Sequence, residues 1–446
     1  MRDWRTEPLE RIAEIRSSNV DKKTNPGEEP VRLCNYMDVY SGEYITENIE
    51  FMEATATPAE IQRFGIERGD VMITKDSETP DDIGIPAVVV DDIPKLVCGY
   101  HVALIKPNRT EVDPIYLAKQ LGLSDTARYY GRLANGSTRY GLSYQSIART
   151  PIRLAPLPQQ QRIAEILSTV DEAIEQTEAL IAKTQQIKAG LMHDLFTRGV
   201  TADGQLRPPR EEAPELYKKS PLGWIPKEWG CETLDSLLAP VACPMRSGPF
   251  GSALLKEELV EYGIPLLGID NVFAEAFVAE YRRFVTPHKF VELSRYAVLP
   301  GDVIITIMGT VGRCCVVPED VDRALSSKHL WTMTFDRNKV LPELVCWQLN
   351  YAPWVKSWFA RQSQGAVMDA IQSSTLRTLR LPVPPPSEQM LLRDRYVAVQ
   401  AKLSQEDESL RKLIKVKRGL MQDLLMGAVS VEVNTSPDLR EVAANV

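Results

Sequence analysis

The chain is poor in the residues that bind metals or form crosslinks. It has four histidines and seven cysteines in 446 residues. Cys34, Cys98, Cys231, Cys243, Cys314, Cys315 and Cys346 are odd in number and include no CxxC pair, which speaks against a zinc site or a disulfide framework. Most sit in apolar runs, as in LVCGYHVAL around Cys98, and read as small buried hydrophobes in a reducing compartment. His101 and His329 lie in apolar strands and read as core histidines, and His193 reads as a packing residue of a helix. No run of about 18 uncharged apolar residues occurs, so no membrane span is expected. The opening MRDWRTEPLERIAEIRSS has no apolar stretch behind its basic residue and is no signal peptide, so a cytoplasmic location is expected.

Catalytic signatures are also missing. The sequence contains no GxxxxGK[ST] phosphate loop, no GxGxxG after a strand, no GxSxG elbow and no HExxH helix. It has no Asn-Pro-Pro or Asp-Pro-Pro tetrad of the kind that methylates a base amino group. A non-catalytic chain needing no cofactor of its own is expected. The formal net charge of -8 argues mildly against a nucleic-acid partner, but binding depends on where the positive charge lies.

A long-period repeat is the strongest positive feature. IKAGLMHDLFTRGV from Ile187 returns as VKRGLMQDLLMGAV from Val416. Pro158-Gln-Gln-Gln161 has its partner in Pro386-Ser-Glu-Gln389, GDVMIT at Gly69 returns as GDVIIT at Gly301, and His101 aligns with His329. VRLCNYMDVY from Val31 echoes IPLLGIDNVF, and Trp4 and Trp229 precede comparable segments. Matches in the same order at nearly the same offset indicate a tandem duplication.

Each copy has two parts. Short turn-bounded valine and isoleucine runs mark a mixed globular domain. DVIITIMGTVGRCCVV reads as two strands joined by a turn at Gly309 and Gly312. A proline-rich run ends each domain. A four-three apolar seam follows, from Ile163 to Leu195 in one copy and from Leu392 to Leu424 in the other. Its polar members recur as Thr177 with Glu406 and Lys188 with Lys417. Periodicity allows either direction of pairing, and the long domain between the helices permits an antiparallel one. The expected organisation is α+β: two tandem mixed α/β domains at 1–157 and 221–385, each followed by a long helix at 158–200 and 386–430. The helices pair as an antiparallel coiled coil, with a linker at 201–220 and a polar tail at 431–446.

These features together resemble the DNA specificity subunit of type I restriction–modification systems. The likeness covers nearly the whole chain and rests on the duplicated domain, the paired helices, LPQQQRIAEIL from Leu157, LIAKTQQIKAGLMHDLF, SPLGWIPKEW from Ser220, GDVIIT and the glycine of RQSQGAV. The second helix opening, SEQMLLRDR, departs from the family form. The resemblance implies target-recognition domains that each read one half of a split, asymmetric site in double-stranded DNA, with the helices setting the gap. Two modification subunits would methylate adenines with S-adenosylmethionine. Restriction subunits using ATP and Mg2+ would join them.

The family has no fixed base-reading set, so candidates rest on residue chemistry. Arginine bridges guanine or holds phosphate, glutamine pairs with adenine, and hydroxyls beside glycine allow close approach. In the first copy these are Lys75, Ser77, Arg128, Arg132, Ser137, Thr138, Arg139 and Tyr140. In the second they are Thr306, Thr310, Arg313, Lys328, Arg361, Gln362 and Gln364. A coiled-coil scaffold for protein partners is the alternative. The negative charge favours it, and the arginine-bearing loops at matched places oppose it.

Overall fold

The computed structural model describes residues 4–363 and 371–432. It divides into two compact units, one built from 1–179 with 407–446 and the other from 180–406. The units therefore differ from the halves of the sequence repeat. The central helix, Leu157–Thr197, and the C-terminal helix, Pro386–Leu425, each contribute a segment to both.

The first unit carries a five-stranded sheet in the order Ala13–Ser17, Val102–Pro107, Val71–Thr74, Pro86–Val89, Tyr44–Ile45. A three-stranded sheet places Glu29–Cys34 between Met52–Ala56 and Leu96–Cys98. Val71–Thr74 is buried along its whole length, so it reads as an unbroken apolar run and not as an alternation. The second unit holds Val303–Thr306 between Leu330–Met333 and Cys314–Val316, with Met245–Ser247 outermost. Its other sheet runs Phe284–Val285, Ile264–Leu267, Ala324–Ser326, Ala297–Val298.

The repeated motifs have shared structural causes. Gly69 (φ 86°) and Gly301 (φ 77°) turn the chain into the matched strands in a conformation that favours glycine. The aspartate that follows accepts a backbone N–H three residues back, Glu67 to Asp70 and Leu299 to Asp302, each at 2.8 Å. Gln160 accepts from the Asp113 N–H at 3.0 Å and donates to the Glu111 and Ala155 carbonyls. Gln389 does the same with the Leu341 N–H at 2.8 Å and the Lys339 and Pro384 carbonyls. Both glutamines are buried, and each ties the start of a long helix to its own domain. The Trp4 indole donates to Gln159 and the Trp229 indole to Glu388. A side chain on Gly427 would touch Trp4 at 3.5 Å, and one on Gly199 would overlap Trp229 at 2.4 Å. Glu388 also accepts from Arg207 at 2.5 and 2.8 Å and from the Val200 N–H, forming a buried ion pair.

In each unit the helix segments run antiparallel. Within the second, Thr184 Oγ1 meets Glu406 at 3.3 Å and Lys188 Nζ meets Gln400 at 2.9 Å, so the contacts fall in opposite order along the two helices. Within the first, Lys417 Nζ lies 2.7 Å from Asp171 and also pairs with Glu43, while Lys119 pairs with both carboxylates. Lys188 repeats the arrangement with Glu275 at 2.7 Å. Every position of both apolar seams is buried or half-buried. Leu424 and Leu425 sit in the core of the first unit, and Leu195 and Phe196 in that of the second. Each domain thus takes in the C-terminal motif of the helix that belongs to the other sequence copy.

Candidate nucleic-acid interface

The two aligned histidines line clefts, contrary to the expectation of core residues. Both are partly exposed, because the turn before each matched strand lifts the ring to the sheet edge. In the first unit a cleft of about 730 Å3 is bordered by His101, Asp76, Ser77, Tyr36, Tyr40 and Arg139. His101 Nδ1 lies 2.8 Å from the Asp76 carboxylate. The Tyr100 ring meets the imidazole edge-on at 4.5 Å, and Lys75 Nζ sits 4.8 Å from the Tyr100 ring centre. Tyr36 and Tyr40 stack at 5.4 Å. The Tyr40 hydroxyl donates to Asp82 at 2.8 Å, and that bond pushes the phenol above its ordinary pKa. Burial pushes the Asp38 carboxyl up as well. Glu50, Glu78 and Asp82 complete a lining dominated by carboxylates.

In the second unit the corresponding cleft measures about 250 Å3 and presents Lys256, Arg283, Ser327, Lys328 and His329. Burial, then the neighbouring Lys328 and Arg283 cations, hold the His329 imidazole below its ordinary pKa. Above it stands the turn Thr306–Arg313, where Gly309 (φ 73°) and Gly312 (φ 94°) reverse the chain between the two expected strands. Exposed Phe273, Met308 and Val311 are apolar neighbours in this unit.

The sequence candidates scatter over several environments. Tyr140 pairs with Ser77 across a short ladder that brings Arg139 to the first cleft beside His101. Ser77 is buried and Lys75 half-buried, while Ser137 and Thr138 are exposed in the loop closed by the Asn135–Gly141 bridge. Arg128 and Arg132 are exposed on the helix Ser124–Leu133, which does not line the cleft, and Arg128 pairs with Asp125 at 2.5 Å. Thr306 is buried, with its hydroxyl donating to the Thr310 carbonyl and accepting from the Arg313 N–H at 3.1 Å, so it serves the turn. The Thr310 hydroxyl is buried without a partner. Arg313 is exposed and lies 5.5 Å from the Phe273 ring centre. Lys328 lines the second cleft, and Arg361 is exposed in the last turn of the helix Pro353–Ser363. Gln364 and the side chain of Gln362 lie outside the described residues. Sequence reasoning passed over Arg283, Ser327 and Lys256. The glycine-rich SGPFGSALLKEE segment beside the aligned His329 was the available signal.

Five of the cysteines are buried, Cys231 is half-buried and Cys243 is exposed. His193, read as a packing residue, is exposed. Among the described residues no helix is long and apolar enough to cross a membrane.

A duplicated pair of mixed α/β domains, each completed by an antiparallel helix pair, defines the class. The model of the type I restriction modification DNA specificity domain matches residues 1–186. The putative type I restriction enzyme MjaX specificity subunit of Methanocaldococcus jannaschii is 22% identical over 438 residues, covering 96% of this chain and 94% of its own. The EcoBI specificity subunit of Escherichia coli is 22% identical over 252 residues, 56% of this chain and 51% of its own. The crystal structure of the S subunit of a type I restriction–modification system from M. genitalium superposes with a TM-score of 0.54 at 16% identity, covering 95% and 96% of the two chains. A chain from a structure of type I system assembly and conformational transition gives 0.55 at 16%, covering 95% and 97%. Over nearly its whole length the chain is thus similar to the DNA specificity subunits of type I restriction–modification systems, and its first 186 residues match their DNA specificity domain.

Proposed function

We propose that this chain reads a bipartite, asymmetric target in duplex DNA, with residues 1–157 and 221–385 as the two reading domains. It would hold two adenine-methylating subunits, which use S-adenosylmethionine, and restriction subunits driven by ATP and Mg2+. The observation that carries the reading is the contrast between two clefts at matched places: the first has five carboxylates and two tyrosines beside Lys22 and Arg139, and the second has Lys256, Arg283 and Lys328 among leucines and no carboxylate. Carboxylates accept from base amino groups, and cations meet guanine acceptors or phosphates. Surfaces so unlike suit two unlike half-sites.

The test is methylation mapping after assembly with the modification subunits. Arg139→Ala removes the arginine at the first cleft and is expected to relax one half of the methylated motif, with discrimination falling by about 1–3 kcal/mol at the affected base pair. Altered bases in both halves from this one substitution would sink the assignment of one domain to one half-site.

A further inference from the structure

In the second cleft, two polar atoms are buried and lack a hydrogen-bond partner: Arg283 Nε and Ser327 Oγ. Both residues line the same concavity. Native structures rarely leave such atoms unpaired, because a donor stripped of water and given no partner destabilises the fold. Lys256, Lys328 and His329 line it too, beside Leu254, Leu255, Leu259 and Leu266, and no carboxylate is among its lining residues. Arg283 is held in place by an ion pair through its Nη2 with Asp270. Its guanidinium lies against Gly268, where any side chain would collide with it. Ser327 is fixed from the other side, since the Gly248 N–H donates to its carbonyl at 3.1 Å. A side chain on Gly248 would strike the Ser326 carbonyl at 2.1 Å. Both donors are therefore positioned, and both are unspent.

We propose that the pocket formed by Arg283, Ser327, Lys328, His329 and Lys256 seats one phosphate of the DNA backbone. The inference rests on the reading of the chain as a DNA-binding subunit. A phosphate supplies what the site lacks, several acceptor oxygens and negative charge for a guanidinium and a hydroxyl. A concave pocket receives a protruding phosphodiester, whereas a base edge offers a flat face within a groove. Among the described residues the first domain has no counterpart. The strand pairing that sets Leu266 beside Arg283 sets Leu33 beside Met52. Gly99 and Tyr100 stand where Ser327 and Lys328 would, and Asp76 already holds His101. Among the described residues the seat belongs to the second domain, where it fixes the position of that domain on the duplex without reading sequence.

The experiment is binding of the full chain to a fluorescent random-sequence duplex over a series of KCl concentrations. Arg283→Met installs the residue that the first copy already carries. It is expected to reduce the slope of log K against log salt by about 0.9, the value for one phosphate. Affinity falls about tenfold at fixed salt, alike for every duplex sequence. Lys328→Ala, at an exposed residue whose loss leaves folding intact, lowers affinity in the same sequence-independent way. Lys412→Ala, on an exposed helix face, leaves both unchanged. A chain that binds duplex with an unaltered slope in both Arg283→Met and Lys328→Ala overturns the phosphate seat and leaves the wider reading standing. So does a loss confined to particular sequences, which marks a base contact. A wild-type chain that binds no duplex removes the reading itself, and this inference with it.

Discussion

Gln160 and Gln389 show how much work one neutral side chain can do. Each bonds a loop N–H and two carbonyls, one of them in a buried contact and the others partly buried. Gln160→Ala therefore strands three polar groups, and a loss of about 3 kcal/mol is expected. Urea unfolding of the full chain should show this loss in the first unit only, with Gln389→Ala shifting only the second. The repetition of this glutamine was visible in the sequence, but its partners were not. They are backbone groups, and backbone groups leave no residue-type signal. The histidines fared oppositely. His101 and His329 stood out by alignment, yet apolar neighbours such as Val102 and Leu330 pointed to the core, because a strand's inward side chains say nothing of the residue at its mouth.

The long helices were the most legible elements. A four-three spacing is a direct statement about which stripe is buried, and every residue of both stripes is buried or half-buried. The polar members of the stripe were legible as positions but not as contacts. Lys417 reaches Asp171 on the other helix and Glu43 on the domain, and Lys188 reaches Gln400 and Glu275. Burial raises the Asp171 carboxyl, but Lys119 and Lys417, with the Tyr44 hydroxyl, outweigh it and leave the pKa lowered. Glu43 is lowered in the same balance. In acid the unfolded chain therefore takes up protons that the folded chain refuses. Stability from these groups is fully present above the unfolded carboxylate range of about 4 and is lost as pH falls through the lower folded values. Asp171→Asn is expected to flatten the acid limb of the stability–pH curve, read as the melting temperature of the full chain between neutral and acidic buffers. An acid limb as steep as that of the wild type would remove Asp171 from the account.

At the scale of the whole molecule, duplication was legible and the sharing of parts between copies was not. Hydrophobic periodicity reports that Leu424 and Leu425 are buried, but it does not name the domain that buries them. The structure gives them to the first, where the Leu425 carbonyl accepts from Gln120 at 2.9 Å. Leu425→Ala should accordingly destabilise a sheet more than three hundred residues upstream in sequence, by about 2–5 kcal/mol. Hydrogen exchange is the measurement. Faster exchange in Val71–Thr74 and Val102–Pro107, with Val303–Thr306 unchanged, is the expected pattern, and the reverse pattern would contradict the assignment.

The bond between Gln120 and Leu425 joins residues 305 apart, and that distance is also an interval of time. A ribosome adds about 5–20 residues per second, so Gln120 emerges roughly 15–60 s before its partner. Throughout that interval the first domain carries an open apolar seat awaiting the last turns of the chain. Translation that stops early, at any point before Leu424, releases a product with that seat unfilled and prone to aggregation. The core of the first domain is therefore finished only after all of its strands have been made and the chain has reached Leu425.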